Sequence, residues 1–277
     1  MLGTTDQTLA TMRAAAKDIR RQAVRMSHRS RAAHLGSAMS CVDILAAAYW
    51  GVMRIDPTAP DDPDRDRFIL SKGHAASALF AALALRGFFP QSVLEEYAQP
   101  ACHLEEHPTP KAAPGVEAAT GSLGHGLPIG AGMALGARIA GRPTRVFVLM
   151  SDGEQNEGSV WEAAMFIGGQ KLTNICAIID FNRWQATGRS CEVLALEPLA
   201  DKWRAFGWNV AEVDGHDVGA LALAMSGLPD PSGKPLAIVA HTVKGKGVSF
   251  MEDDNNWHYR IPNEDELARA LAELEGA

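Results

Sequence analysis

Ser151-Asp152-Gly153-Glu154-Gln155-Asn156-Glu157-Gly158, followed thirty positions after Asp152 by Asn182 in Ile179-Asp180-Phe181-Asn182-Arg183-Trp184, is the stretch around which the chain is organised. The run before it, Arg145 to Met150 (RVFVLM), is short, apolar and bounded by Pro143 and Gly153, which reads as a buried strand. From Glu157 to Ile167 acidic residues come first, and Val160, Trp161, Ala164, Met165 and Ile167 then recur at roughly helical spacing, so a helix follows. Asn174 to Phe181 (NICAIIDF) reads as a second buried strand, with Asn182 just past its end. Two parallel strands joined by a helix put Asp152 and Asn182 at the same carboxyl edge of a sheet, where open α/β folds bind ligands. A carboxylate, an amide oxygen and a nearby carbonyl are hard ligands suited to Mg²⁺ or Ca²⁺. An ion with so few protein ligands fills its shell with water and phosphate oxygens, and Gly153 lets the backbone come close to an anion, so the spacing points to a metal-bridged diphosphate. Asp-Gly taken alone also fits an ordinary strand-end turn.

Composition sets the frame. A chain of 277 residues that is 47% hydrophobic can bury one large α/β core with no internal boundary. A net charge of -7, spread along the chain, argues against nucleic acid or an anionic membrane as the main partner. Cys41, Cys102, Cys176 and Cys191 show no CxxC spacing and read as reduced thiols, which favours a cytoplasmic location. The N-terminus lacks an apolar signal core, and no run is long and apolar enough to span a bilayer.

The Asp-Gly pair with Asn at this distance resembles the thiamine diphosphate fingerprint, and SDGEQNEGSVWEAAM with IIDFN looks like a transketolase. The resemblance implies a mostly parallel sheet sandwiched between helices, with metal ligands at Asp152, Asn182 and the backbone oxygen of Trp184. It extends from His34 to His258 with the motifs in the family's order. A lone histidine such as His34, lying where Ala33 to Ser40 interrupts two helices (Asp6 to Arg31 and Cys41 to Trp50), is usually structural; His34-Leu35-Gly36 nevertheless resembles the family's first histidine motif, whose ring faces the thiazolium and the sugar. Asp56 to Arg67 is a Pro- and Asp-rich surface loop, and Phe68-Ile69-Leu70 a short strand. Ser71-Lys72-Gly73-His74, opening a helix over Ala75 to Leu85, resembles the second histidine motif, with His74 on the diphosphate; Lys72 can equally be a surface charge.

Glu105-Glu106-His107-Pro108 resembles a Gly-His-Pro segment whose histidine touches the donor sugar, although here Glu precedes the histidine, which hints at an altered substrate edge. Thr120 to Gly126 leads into a helix from Leu127 to Ile139; by resemblance Gly121 approaches the diphosphate and Leu123 packs beside the aminopyrimidine. His125 replaces the Gln of full-length transketolases, as in two-chain forms. Further on the reading is helix (Pro198 to Phe206), strand (Trp208 to Val213), helix (Asp217 to Met225) and strand (Lys234 to His241), with Asn263 capping a final helix. Lys244-Gly245-Lys246-Gly247 is either a charged turn or positive potential at the diphosphate edge, and Trp257-His258 resembles the last histidine motif. Glu157 matches an acidic position at a subunit interface, against the simpler reading of a helix N-terminal charge.

By this resemblance the chain is the diphosphate-binding, N-terminal subunit of a two-chain transketolase, paired with a pyrimidine-binding chain in an α2β2 heterotetramer. His34, His107 and His258 are the acid–base candidates for moving a two-carbon ketol unit from a ketose to an aldose, because histidine exchanges protons near neutral pH. His74, Gly121, Leu123, Asp152, Gly153, Glu157, Asn182 and His258 are the expected cofactor-binding positions. Other readings are half of a deoxyxylulose-phosphate synthase-like enzyme or decarboxylase, or a regulatory subunit that keeps the fold without the chemistry.

Overall fold

Strands that are apolar on both faces are stable only where helices cover both sides, and these strands are arranged in that way. The computed structural model describes residues 5–110 and 112–276. Its sheet contains β1 (Arg67–Leu70), β2 (Val146–Ser151), β3 (Ile175–Phe181), β4 (Asn209–Asp214) and β5 (Leu236–His241), all parallel, in the order β1-β2-β3-β5-β4. Every residue of β2 and β3 is buried. Val146 pairs with Ile175 and Ser151 with Asp180, so Asp152 and Asn182 both leave the carboxyl edge together, as the spacing requires.

The helices are α1 (Asp6–Ser30), α2 (Leu35–Ser40), α3 (Val42–Ala47), α4 (Ala76–Arg86), α5 (Gly126–Ile139), α6 (Gly158–Gly169), α7 (Ser190–Val193), α8 (Leu199–Ala205), α9 (Val218–Met225) and α10 (Glu264–Gly276). One face of the sheet, through Phe147, Leu149, Cys176 and Ile178, packs on α1, α3, α4 and α9. The other, through Val148, Met150, Ala177 and Ile179, packs on α5, α6 and α8. The side chains alternate between two cores with the period of the pleat. No helix among the described residues is long and apolar enough to cross a membrane.

Three expectations need correction. The interruption between the first helices is confined to residues 31–34: Arg31 and His34 take left-handed backbone angles (φ 59° and 68°), and Leu35–Ser40 is helical and buried throughout. Burial outweighs the weak helix propensity of Gly36 and two serines. A second joint falls at Cys41, and a π-helical turn over Ala48–Val52 follows α3. The segment ending at Arg67 is not all surface, because Asp66 is fully buried. Its carboxylate takes Nη2 of Arg54 (2.7 Å) and of Arg145 (2.6 Å) together with the backbone N–H of both, which pins the starts of β1 and β2. The last helix does begin with a capping box: Glu266 N–H donates to Asn263 Oδ1 (2.9 Å) and Asn263 N–H to Glu266 Oε2 (3.0 Å).

Candidate functional site

A cavity of about 400 Å³ opens at the carboxyl edge. His34, His74, His107 and His258, drawn from four separate segments, line it beside Gly121 and Leu123. Gly153, Glu157, Asn182 and Trp184 complete the lining, and Asp152, next to Gly153 in sequence, is fully buried. Of the expected catalytic, cofactor and metal positions, all but Asp152 line this one cavity.

The histidines touch one another. The His34 ring centroid lies 5.4 Å from that of His74, 6.2 Å from His107 and 5.1 Å from His258, the last pair nearly perpendicular at 83°. His34 is held by its backbone, its N–H donating to His258 O at 2.8 Å and its carbonyl accepting from Ala38 at 3.0 Å. Burial, then the neighbouring His107, Lys244 and Lys72, push His34 down to about 4. Burial and Lys244 push His258 down to about 3, and His74 is held well below its usual value, mainly by burial. These three rings are neutral at physiological pH, so they can accept a proton or donate a neutral N–H.

Asp152 is a carboxylate with no solvent exposure. It accepts from Ser190 Oγ (2.8 Å) at Oδ2 and from Gly153 N–H (2.9 Å) at Oδ1. Burial, reinforced by Asp180, raises its pKa to about 7 despite those bonds and Lys72. A buried carboxylate that is hard to ionise is a group that a cation would complete. Among the described residues no three His, Cys, Asp or Glu side chains could hold a metal together. The expected donor set is of a different kind, one carboxylate, one amide oxygen and one carbonyl, with the rest of the shell coming from the ligand. Asn156 Oδ1 and Gln185 Nε2, on cavity-lining residues, are buried without a hydrogen-bond partner among the described residues. The donor set and these unmatched polar atoms fit a metal-bound diphosphate.

The glycines shape the wall. Gly121 has φ +130°, and a Cβ there would lie 2.5 Å from His107 Cδ2; a Cβ on Gly73 would lie 2.6 Å from Gly121 N. Backbones carrying two motifs therefore touch where no side chain fits. At Gly153 a Cβ would meet only the Gln185 side chain, at 3.5 Å, so the fold itself does not demand glycine there.

Sequence reasoning missed one support, Glu154, and left the burial of two lysines undecided. Glu154 is fully buried and accepts from Ser71 Oγ (2.5 Å), Gly124 N–H (2.9 Å) and Ser151 N–H (2.9 Å), tying three motif segments together. The Ser151-x-x-Glu154 spacing of a capping box was the available signal, and Glu154 N–H returns a bond to Ser151 Oγ at 3.3 Å; Glu157 is exposed at the start of α6 and makes no cap bond among the described residues. Lys72 is not a surface charge: it is fully buried and ion-paired with Asp180. Asp180 also accepts from Ser40 Oγ (2.6 Å) and Thr242 Oγ1, and an acid closing an otherwise apolar strand run was the available signal. Lys244 is likewise buried, not part of a free turn.

The family described as transketolase, thiamine diphosphate binding domain, matches residues 11–274. The chain is 40% identical over 255 residues to a subunit of the apulose-4-phosphate transketolase of Phocaeicola vulgatus, covering 92% of this chain and 90% of that protein. It is 43% identical over 242 residues to 6-deoxy-6-sulfo-D-fructose transketolase subunit SqwG of a Clostridium species, covering 87% and 88%. Transketolase from Leishmania mexicana superposes with a TM-score of 0.90 at 28% identity; the match covers 96% of this chain but only 42% of that one, so the chain spans about two fifths of a solved transketolase. By these matches and by the site that its sheet edge builds, the chain belongs to the transketolase family, in the part that binds thiamine diphosphate.

Proposed function

We propose that the chain is the diphosphate-binding subunit of a two-chain transketolase, transferring a two-carbon ketol unit from a ketose or ketose phosphate to an aldose. The convergence of four histidines on one cavity beside the Asp152–Asn182 edge carries this reading. Thiamine diphosphate, when bound, supplies the electron sink for carbon–carbon cleavage. The chain's residues do the rest. Asp152, the Asn182 amide oxygen and the Trp184 carbonyl would hold Mg²⁺ or Ca²⁺. His74, Gly121 and Gly153 would hold the diphosphate, with Lys72 and Lys244 adding positive potential, and Leu123 would lie beside the aminopyrimidine. His34, His107 and His258 would exchange protons with the sugar hydroxyls at the opposite end.

The partner in this proposal is a separate pyrimidine-binding chain, assembled as an α2β2 heterotetramer, with the present chain as one thiamine diphosphate-binding domain. The outer sides of α5 and α6, whose N-terminal ends lie at the cavity, support it. Ile129, Met165 and Phe166 are exposed there, and among the described residues a Cβ on Gly132, Gly136 or Gly158 would meet nothing within 4 Å. An apolar face of that kind marks an interaction site. Glu157, exposed beside it, belongs to the same proposed interface. The net charge of -7 favours neither nucleic acid nor membrane, and the unpaired cysteines suit the cytoplasm. Calorimetric titration of thiamine diphosphate with Mg²⁺ onto wild type and Asp152→Ala, each with the partner chain, tests the site: binding is expected in the first and lost in the second. Binding retained by Asp152→Ala refutes the metal assignment.

A further inference from the structure

The turn after β5 is built around Lys244. Gly245 N–H donates to Gly36 O at 2.9 Å and Asp253 N–H to Lys244 O at 2.9 Å, which welds the turn to α2 on one side and to the His258 segment on the other. Gly36 makes room for it: a Cβ there would lie 3.2 Å from Lys244 Cγ and 3.1 Å from Trp257 O. The lysine stem thus runs beneath the first histidine motif to a fixed end point. Its Nζ sits 2.6 Å from Asn255 Oδ1 and 3.0 Å from His258 Nδ1.

An ammonium has three donors and no acceptor, so the ring nitrogen that it meets must present a lone pair. A neutral imidazole whose Nδ1 accepts carries its proton on Nε2. With Nδ1 occupied, Nε2 is the nitrogen of His258 left to meet a ligand in the cavity that this residue lines. Resting on the transketolase reading above, we infer that Lys244 is a positioning residue that fixes His258 as its Nε2–H tautomer, so that His258 meets the sugar as a hydrogen-bond donor and proton removal falls to His34 or His107.

The electrostatics agree. His258 is held down to about 3 by burial and by the Lys244 charge, and so stays neutral. Lys244, lowered to about 8 chiefly by burial and then by Lys72, still carries its proton at neutral pH. A charge-assisted hydrogen bond of this type biases the two tautomers by roughly tenfold or more.

The test is ¹⁵N NMR of the His258 ring in the free chain, assigned with His258→Gln. The Nε2–H form should dominate at pH 7 in wild type and in the donor-retaining Lys244→Arg, and Lys244→Met should bring the two tautomers to comparable populations. In the enzyme assembled with its partner, Lys244→Met should lower kcat about tenfold, and Lys244→Arg should recover much of the loss. A wild-type ring protonated on Nδ1, or a tautomer ratio indifferent to Lys244→Met, overturns the inference. The wild-type spectrum decides the matter even if Lys244→Met fails to fold. It needs neither cofactor nor turnover, so failure of the transketolase reading would be seen separately, as absence of cofactor binding.

Discussion

Replacing Lys72 by Met removes the ammonium that Asp180 faces at the buried end of β3. Lys72 has no solvent exposure and also donates to Ser37 O at 2.9 Å, whereas Asp180 keeps two hydroxyl donors, Ser40 Oγ at 2.6 Å and Thr242 Oγ1. Breaking one side of a buried ion pair costs about 3–5 kcal/mol because the surviving charge is left without its counter-ion. The remaining hydroxyls put Lys72→Met near the low end, about 3 kcal/mol. At about 2–4 °C per kcal/mol, Tm should fall by roughly 6 to 12 °C. Adding Asp180→Asn to Lys72→Met removes the orphaned charge, and the double variant should regain about 2 kcal/mol, which appears as coupling in a double-mutant cycle. Urea unfolding of the four proteins measures this directly. A cost below about 1 kcal/mol for Lys72→Met, or strictly additive single costs, would refute the claim that this pair is a buried, mutually dependent unit.

Gly121→Ala puts a methyl 2.5 Å from His107 Cδ2 at a backbone φ of +130°, so it should cost about 1–3 kcal/mol and lower cofactor affinity at least tenfold; calorimetric titration with the partner present checks this, and unchanged affinity contradicts the proposed diphosphate wall. His34 and His258 are depressed to about 4 and about 3 in the fold against 6.5 in the unfolded chain, so the unfolded state binds more protons as pH falls. Stability is therefore full above pH 6.5 and is lost as pH drops toward 4, each ring contributing at most about 1.4 kcal/mol per pH unit and less for its solvent-exposed part. Urea midpoints from pH 7 to 4.5 should fall, more shallowly in His34→Gln; equal slopes would contradict the burial argument. Asp152→Asn removes a carboxylate that burial makes hard to ionise, so the variant alone should melt within about 1 kcal/mol of wild type or higher. Mg²⁺ with thiamine diphosphate and the partner should then raise the Tm of wild type but not of the variant.

Much of this was legible in the chain because local rules govern it. The apolar runs of β2 and β3 and the Asp152–Asn182 spacing fix a parallel pair and its carboxyl edge, since a buried strand must be covered on both faces. Motif order supplied the histidines, but not that His34 would stand within 6.2 Å of three others, a fact of tertiary assembly. What escaped was partner choice. The sequence left Lys72 and Lys244 open between a surface or turn charge and a place at the site, because lysine is rarely buried; the partners that make burial tolerable, Asp180 and Ser37 for Lys72 and Asn255 and His258 for Lys244, are set by the fold. Glu154 was legible only in its Ser151-x-x-Glu154 spacing; its donors near residues 71 and 124 come from segments that no spacing rule links to it. The helical state of Leu35–Ser40 was decided by burial against propensity.

The central claim is that this chain builds one end of a shared active site. The most direct measurement is two-carbon transfer from a ketose donor to an aldose acceptor, with thiamine diphosphate and Mg²⁺, comparing this chain alone, its pyrimidine-binding partner alone, and the two mixed. Activity should appear only in the mixture and titrate to saturation at one copy of each chain. Transfer by this chain alone, or none from a mixture that forms a stable complex and binds cofactor, would contradict the account.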